Sequence, residues 1–219
     1  MITRDQYAKE LGAYLYYAVA KGVEVSERDE EVEGMLREAE EELRKRYTLE
    51  SLREDPKVRA YRKFMWSIGI DPTKVRPASE ALARRALRSS LPNINSLVDL
   101  GNAVSVKYLV PIGIYDLDNV KGEMELRRAK EGELFLPIGR GEVRLKGNEL
   151  VLADEEGVMH LFPYRDSRRT MVTLETKNAL VAAAGVPGVP EEDVRKAVEE
   201  ILEFLKKRGA EVSEVVRTP

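Results

Sequence analysis

The sequence predicts an α+β chain, with helices mainly in its first half and a sheet of short strands in its second. Three observations predict it. Apolar residues recur at spacings of three and four along 32–43, 58–68, 82–87, 97–104 and 194–205, the period of a helix with one buried face. From about residue 123 the period falls to two, and short alternating runs are separated by Gly and charged turns. The run AYLYYAVA, residues 13–20, is apolar throughout between Gly12 and Gly22 and reads as a buried strand.

In chain order, residues 1–10 are polar and read as a lead-in turn. Ser26, with Asp29 three residues on, caps a helix whose inner stripe is Val32, Met35, Leu36, Ala39 and Leu43. Thr48 starts a short helical turn. Asp55 and Pro56 are a helix start, Asp at the cap and Pro at the first helical position. Val58, Tyr61, Met65 and Ile68 face inward, Gly69 stops the helix, and Trp66 beside the stripe is expected in the core or a seam. Pro72 and Pro77 force an extended linker over Ile70–Ala78. Ser79 opens a helix with Leu82, Ala86 and Leu87 inside and Arg84, Arg85 and Arg88 outside. Those arginines are either a contact surface or a solvated face offset by the Glu-rich helix before them.

The turn LPNIN, residues 91–95, leads into a helix over Ser96–Lys107. Ser96 and Asp99 have capping-box spacing, and Leu97, Leu100 and Val104 bury one face. An apolar segment, Tyr108–Tyr115, then runs into Asp116. Strands are expected at Glu123–Ala129, Leu134–Ile138, Glu142–Leu145, Leu150–Ala153 and Val158–Phe162, with Gly157 closing a hairpin at a position that tolerates positive φ. Thr173 or Thr176 caps a helix reaching about Ala184, which VPGVP breaks. Pro190 starts the last helix, with Glu191, Glu192 and Asp193 suiting its dipole, and Glu211–Val216 adds a terminal strand. The whole is expected to be one domain, 1–219: a strand and helices to 76, a core holding the pocket over 77–188, and a helix and strand over 189–219.

Composition removes several kinds of chemistry. The 219 residues include no Cys, which excludes disulfides, thiolate metal sites and Cys nucleophiles, and only one His. No apolar run approaches the roughly 20 residues of a membrane span, and the N-terminus has no apolar signal run, so a cytoplasmic location is expected. Charged residues make up 34% and nearly cancel, to a net −3, in a pattern like that of a thermophile. RNA would have to be met by a local basic patch rather than bulk charge; DNA is not expected. A Ser–His–acid triad would need His160, which shares a strand face with Val158 and Phe162 and reads as a structural histidine. No His-based metal site, no phosphate loop and no isolated carboxylate pair stands out, so neither metal nor cofactor is expected.

Two stretches carry candidate chemistry. Asn95, Asp99 and Asn102 form a polar stripe on the 96–107 helix, in a chain that elsewhere fills exposed helix faces with Glu, Lys and Arg. Asn and Asp are poor interior helix residues, so their use there implies local partners. The loop FPYRDSRRT, 162–170, joins Tyr164 to Arg165, Arg168 and Arg169. Arg makes bidentate phosphate contacts and Tyr can stack on a base, which makes these residues and Arg84, Arg85 and Arg88 the RNA-contact candidates. The competing reading of the loop is an Arg–Asp turn held by Asp166.

Pro92, Ile94, Asn95, Val98, Asp99, Asn102, Pro111 and Asp116 give this stretch a resemblance to the editing (B3/B4) domain of the phenylalanyl-tRNA synthetase beta subunit, in its free-standing form. The similarity extends over most of the chain and is weaker outside residues 61–179. The resemblance implies a layered β/β/α fold and hydrolysis of a wrong amino acid from the 3′ end of tRNA. It implies a pocket lined by Asn102, with Asn95 and Asp99 beside it, and by Gly157, Val158 and Met159. Such a pocket can orient a water with fixed dipoles and needs no protein nucleophile. One departure stands out. Bacterial members have a pocket His eleven residues after the asparagine, and here that position is Gly113, so the acyl group recognised is expected to differ or activity to be lost. Glu175 is a loose match to the family's pocket Glu. Three readings follow: a deacylase acting on misacylated tRNA in trans, a noncatalytic tRNA-binding module docking on a synthetase, or a pocket for a free amino acid.

Overall fold

A computed structural model describes residues 1–219. The chain runs β1 (Ile2–Arg4), α1 (Gln6–Glu10), β2 (Tyr14–Lys21), α2 (Glu30–Arg46), α3 (Leu49–Leu52), α4 (Pro56–Ser67), α5 (Ala78–Arg88), α6 (Ser96–Tyr108), β3 (Ile112–Asp116), β4 (Met124–Arg128), β5 (Leu134–Phe135), β6 (Val143–Arg144), β7 (Leu150–Ala153), β8 (Val158–Leu161), β9 (Arg165–Asp166), β10 (Asn178–Gly185), α7 (Glu191–Lys207), β11 (Glu211–Val212) and β12 (Val216–Arg217).

Two five-stranded sheets form. One has the order β1-β4-β7-β8-β9; in the other β2 and β10 are central, with β3 beside β10 and β11 and β12 beside β2. Only β1 and β4 pair in parallel. Helix α7 covers β2 and β10, and α6 covers β3; α2 and α5 lie against α6. The two sheets meet in a buried cluster that joins Leu126, Leu152, Met159 and Phe162 to Leu180 and Ala182. Across the same seam the Ile2 amide donates to the Tyr17 hydroxyl at 3.0 Å. The result is sheet on sheet on helices, the layered α+β arrangement. No helix is long and apolar enough to cross a membrane.

Most helix ends follow local chemistry. Asp55 caps α4 with Pro56 at its first position. Glu191, Glu192 and Asp193 occupy the first turn of α7, whose buried stripe is Val194, Ala197, Val198, Ile201, Leu202 and Leu205. Other expectations are corrected. Residues 173–184 form no helix: 178–185 are β10, hydrogen-bonded to β2 on one side and β3 on the other. A short apolar run without a period is compatible with either state, and pairing on both edges overrides the helix preference of its alanines. The cap of α2 is Asp29, which accepts from the Val32 amide at 3.1 Å, while Ser26 stays in the preceding turn. Residues 2–4 and 6–10 are a strand and a short helix rather than a turn. Trp66 is 56% exposed, because it follows Met65 and lies about 100° round α4 from the buried stripe.

Candidate functional site

The start of α6 explains two of the three stripe residues. Asn95, not Ser96, is the N-cap, and its Oδ1 accepts from the Val98 amide at 2.9 Å. Ser96 instead accepts from the Ser26 amide at 2.9 Å, so the expected Ser96–Asp99 capping box is not formed. Asp99 is buried and takes the Ile94 amide at 2.8 Å, and burial raises its carboxyl above the ordinary range. Short side chains are needed at both places because the donors are adjacent backbone. Asn102 stands on the same face beyond Asp99, half-buried, with no hydrogen-bond partner for its amide in the protein. It lines a cleft of about 170 Å³ whose other walls are mainly apolar: Ile94, Val98, Ile112, Ile114, Ile138, Met171 and Val172. Asp99 thereby holds the backbone of Ile94 at the cleft wall, and Asn95 holds the helix that carries Asn102.

Across Ile112 and Asp166, which line both spaces, lies a smaller chamber of about 70 Å³. It contains Gly113, Tyr115, His160, Tyr164, Arg165 and Asp166. His160 on β8 and Asp166 on β9 are direct cross-strand partners. The Asp166 Oδ1 lies 2.8 Å from His160 Nδ1 and also accepts the Tyr115 hydroxyl at 3.0 Å, which bridges the two sheets. Burial, with Asp166 adding to it, pushes the Tyr115 hydroxyl well above its ordinary pKa. A Cβ at Gly113 would overlap the Tyr115 hydroxyl oxygen. The room left by the missing side chain at 113 is therefore occupied by a phenol from the same strand.

The third space is an open groove of about 370 Å³ containing Lys74, Arg76, Arg84, Arg85, Arg88, Tyr164 and Arg165. The Ala78 amide donates to the Pro163 carbonyl at 3.0 Å and ties the start of α5 to the loop after β8. That contact brings the arginines of α5 against Tyr164 and Arg165. Burial and the repulsion of Arg76 and Arg88 lower the Arg84 guanidinium, and burial and Arg140 lower Arg165. Glu80 is the nearest acid, 3.8 Å from Arg76, and its carboxylate is already engaged by Arg62. The Nε atoms of Arg76 and Arg84 are buried without a partner. Burial raises the Tyr164 hydroxyl to about 12. The groove and the chamber share Tyr164 and Arg165. Groove, chamber and cleft are thus consecutive.

The remaining candidates lie elsewhere. Arg168 is exposed and donates to the Arg140 carbonyl at 3.0 Å. Arg169 clamps Asp154 at 2.6 and 3.0 Å and reaches Glu156 at 3.3 Å, so acids of the β7–β8 turn occupy it. Gly157, at φ 150°, gives its carbonyl to the same guanidinium at 3.2 Å. Val158 and Met159 are buried in core clusters. None of Gly157, Val158 and Met159 lines the cleft or the chamber. Glu175 is exposed. No three His, Asp or Glu side chains converge to hold a metal ion. The residues that sequence reasoning passed over are Tyr115, Lys74 and Arg76; Asp166 was read only as a holder of the loop, and His160 only as a structural group. One clue was present: His160 and Asp166 are six apart around Pro163, a spacing that a tight hairpin converts into a cross-strand pair.

Comparison with known proteins agrees with this architecture. The model of the B3/4 domain family matches residues 60–209. The phenylalanine–tRNA ligase beta subunit of Neisseria meningitidis is 35% identical over 103 residues, which is 47% of this chain and 13% of the relative. That of Fusobacterium nucleatum is 32% identical over 115 residues, 52% of this chain and 14% of the relative. The chain thus spans a small part of the curated relatives it matches. A crystallised N-terminal fragment of the phenylalanyl-tRNA synthetase beta subunit from Pyrococcus horikoshii aligns with a TM-score of 0.57 at 18% identity, over 100% of this chain and 54% of that one, and shares the fold.

Proposed function

The chain belongs to the B3/4 domain family, and from that premise we propose that it binds the acceptor end of tRNA and hydrolyses the ester of a misacylated tRNA in trans. The observation that carries the reading is the adjacency of the three spaces: a groove with six cationic side chains shares Tyr164 and Arg165 with the small chamber, which in turn shares Ile112 and Asp166 with an apolar cleft. Guanidinium groups of which only Arg76 has a carboxylate within 4 Å suit phosphates, and Tyr164 offers a face for a terminal base. The cleft suits an apolar acyl side chain, with the free amide of Asn102 available to orient the carbonyl or the amino group. An N–H aimed where negative charge develops lowers the barrier without a protein nucleophile, typically by about 2.7–4 kcal/mol for one such donor. The reaction is carboxylic ester hydrolysis and belongs in the cytoplasm, where charged tRNA is used.

The test is release of labelled amino acid from a panel of correctly and wrongly charged tRNAs, with wild type and Asn102→Ala compared. Selective release by wild type, reduced at least tenfold in Asn102→Ala with unchanged gel-shift binding, is the expected outcome. Binding without release from any tRNA would make the protein a noncatalytic tRNA-binding module, able to serve a synthetase. Absence of both would leave a pocket for a free small molecule.

A further inference from the structure

We propose that His160 is the catalytic base of this site, held in one tautomer by Asp166 and Tyr115; the inference rests on the hydrolase reading above. It begins from the hydrogen bonds. A carboxylate oxygen accepts hydrogen bonds, so Asp166 Oδ1 accepts one from the Tyr115 hydroxyl, at 3.0 Å, and one from the N–H of His160 Nδ1, at 2.8 Å. With its proton on Nδ1, the neutral imidazole carries its lone pair on Nε2. The ring has little freedom to turn. It lies edge-on to Tyr115 and Phe162, both at 6.3 Å between ring centres, and its residue is only 7% exposed. The cross-strand register of His160 and Asp166 sets the pair in backbone rather than in a loop.

The surroundings of the ring fit a reacting centre. Nε2 has no partner in the protein, and the ring forms part of the 70 Å³ chamber. A cavity needs roughly 10–15 Å³ of this kind of space to hold one water, so the chamber has room for a water beside a carbonyl-sized group but not for a nucleotide or a large side chain. Those larger parts have the groove and the cleft on either side. The ionisable groups facing the chamber besides His160 are Asp166, Arg165, Tyr164 and, from β3, Tyr115; the other lining residues, Leu15, Ala78, Pro111, Ile112, Gly113, Ala182 and Ala184, carry none. A histidine serving only to fill the core would have no need of an acid partner on one nitrogen and an open space at the other.

The step balances without a further reactant. Nε2 accepts a proton from water as the water oxygen bonds to the ester carbonyl carbon. The tetrahedral intermediate then expels the terminal ribose oxygen, which takes that proton back from the imidazolium. The products are the amino acid and tRNA with a free terminal hydroxyl. Asp166 and Tyr115 are positioning residues: they orient the ring and touch neither reacting atom.

The single histidine makes the test direct. In ¹⁵N-labelled full-length protein, the imidazole nitrogens are read by NMR without assignment, and the Nδ1–H tautomer is expected; a neutral ring protonated at Nε2 would overturn the inference whatever the substrate. In single-turnover deacylation, His160→Gln is expected to lose at least 100-fold, with gel-shift binding within error of wild type and a cooperative melting transition well above the assay temperature. Tyr115→Phe is expected to lose about tenfold. His160→Gly opens a space in the chamber, and added imidazole is expected to restore at least tenfold of its rate, which a structural role would not produce. If His160→Gly does not fold, His160→Gln and the NMR readout decide. Release by His160→Gln within threefold of wild type would overturn the inference and leave the hydrolase reading intact. No release by wild type from any charged tRNA would remove both.

Discussion

A methyl group at position 113 would overlap the Tyr115 hydroxyl, so Gly113→Ala must push the phenol away from Asp166. Overpacking and the loss of a part-buried hydrogen bond to a carboxylate together predict a cost of about 3 kcal/mol by urea denaturation. In a Tyr115→Ala background the same change should cost less than about 1 kcal/mol. Equal costs in both backgrounds would show that Tyr115 is not the obstacle. The second residue-scale prediction concerns Asp154. Burial alone would raise its carboxyl, but Arg169 and the Lys121 and Gly157 amides hold it below the ordinary carboxylate range. A lowered folded-state pKa contributes stability above the unfolded value, near 3.9, that is lost as pH falls through the folded value. Asp154→Asn should therefore destabilise by about 3 kcal/mol at pH 7, and the gap to wild type should narrow as pH falls below the ordinary carboxylate range and through the lowered folded value. A gap independent of pH would exclude the ion pair as its source. Residues of this kind were poorly legible in the sequence. Arg169 and Arg165 look alike there, four apart in one basic loop, and only the fold shows that one faces the acids of the β7–β8 turn and the other a groove without acids.

At the scale of elements, legibility followed period and punctuation. Helices α4 and α7 are amphipathic, begin at Asp55–Pro56 and Pro190, and end near Gly69 and Gly209, so their limits were readable. Strand β10 was not, because 179–186 are buried on both faces and carry no alternation. Its identity resides in its partners, β2 and β3, which lie far away in sequence. Helix α6 is an intermediate case. Its existence and inner stripe were plain, but the cap moved by one residue, and with it the meaning of the polar stripe. Asn95 and Asp99 complete the helix start while Asn102 is free, so the three should separate by experiment. Asn95→Ala should cost about 1 kcal/mol of stability, and Asn95→Ser should restore most of it. Asn102→Ala should leave the urea midpoint unchanged and act only on ester hydrolysis. A stability loss at Asn102 as large as that at Asn95 would mean that its amide is structural.

Over the whole molecule, a net charge of −3 conceals a strongly uneven distribution. Helix α2 is rich in Glu, and many of the ion pairs on the surface are local neighbours within one helix, such as Lys45–Glu42, Lys196–Glu192 and Lys207–Glu203. The groove departs from that pattern. Lys74, Arg76, Arg84, Arg85, Arg88 and Arg165 converge from α5, the turn before it and the β8–β9 hairpin, and only Arg76 has a carboxylate within 4 Å. Like charges held this close raise the energy of the free protein and favour a polyanion that neutralises them. Binding of an RNA acceptor end should therefore weaken steeply with salt, and each phosphate contact on a single strand contributes about −0.7 to the slope of log K against log salt concentration. Replacing Arg84 and Arg88 together by Ala should reduce the slope by about 1.4 if each meets one phosphate. Arg168→Ala should leave the slope unchanged, since that side chain lies outside the groove on the Arg140 carbonyl. Arg169→Ala should also leave it unchanged while lowering stability through Asp154. Filter binding over a salt series on the four proteins, with melting curves alongside, reads all of these effects. A slope insensitive to Arg84 and Arg88 but reduced by Arg168→Ala would move the RNA from the groove to the face of the 165–169 loop. The acyl end would then no longer reach the chamber from the groove, and the proposed path of the substrate through the molecule would fail at its first step.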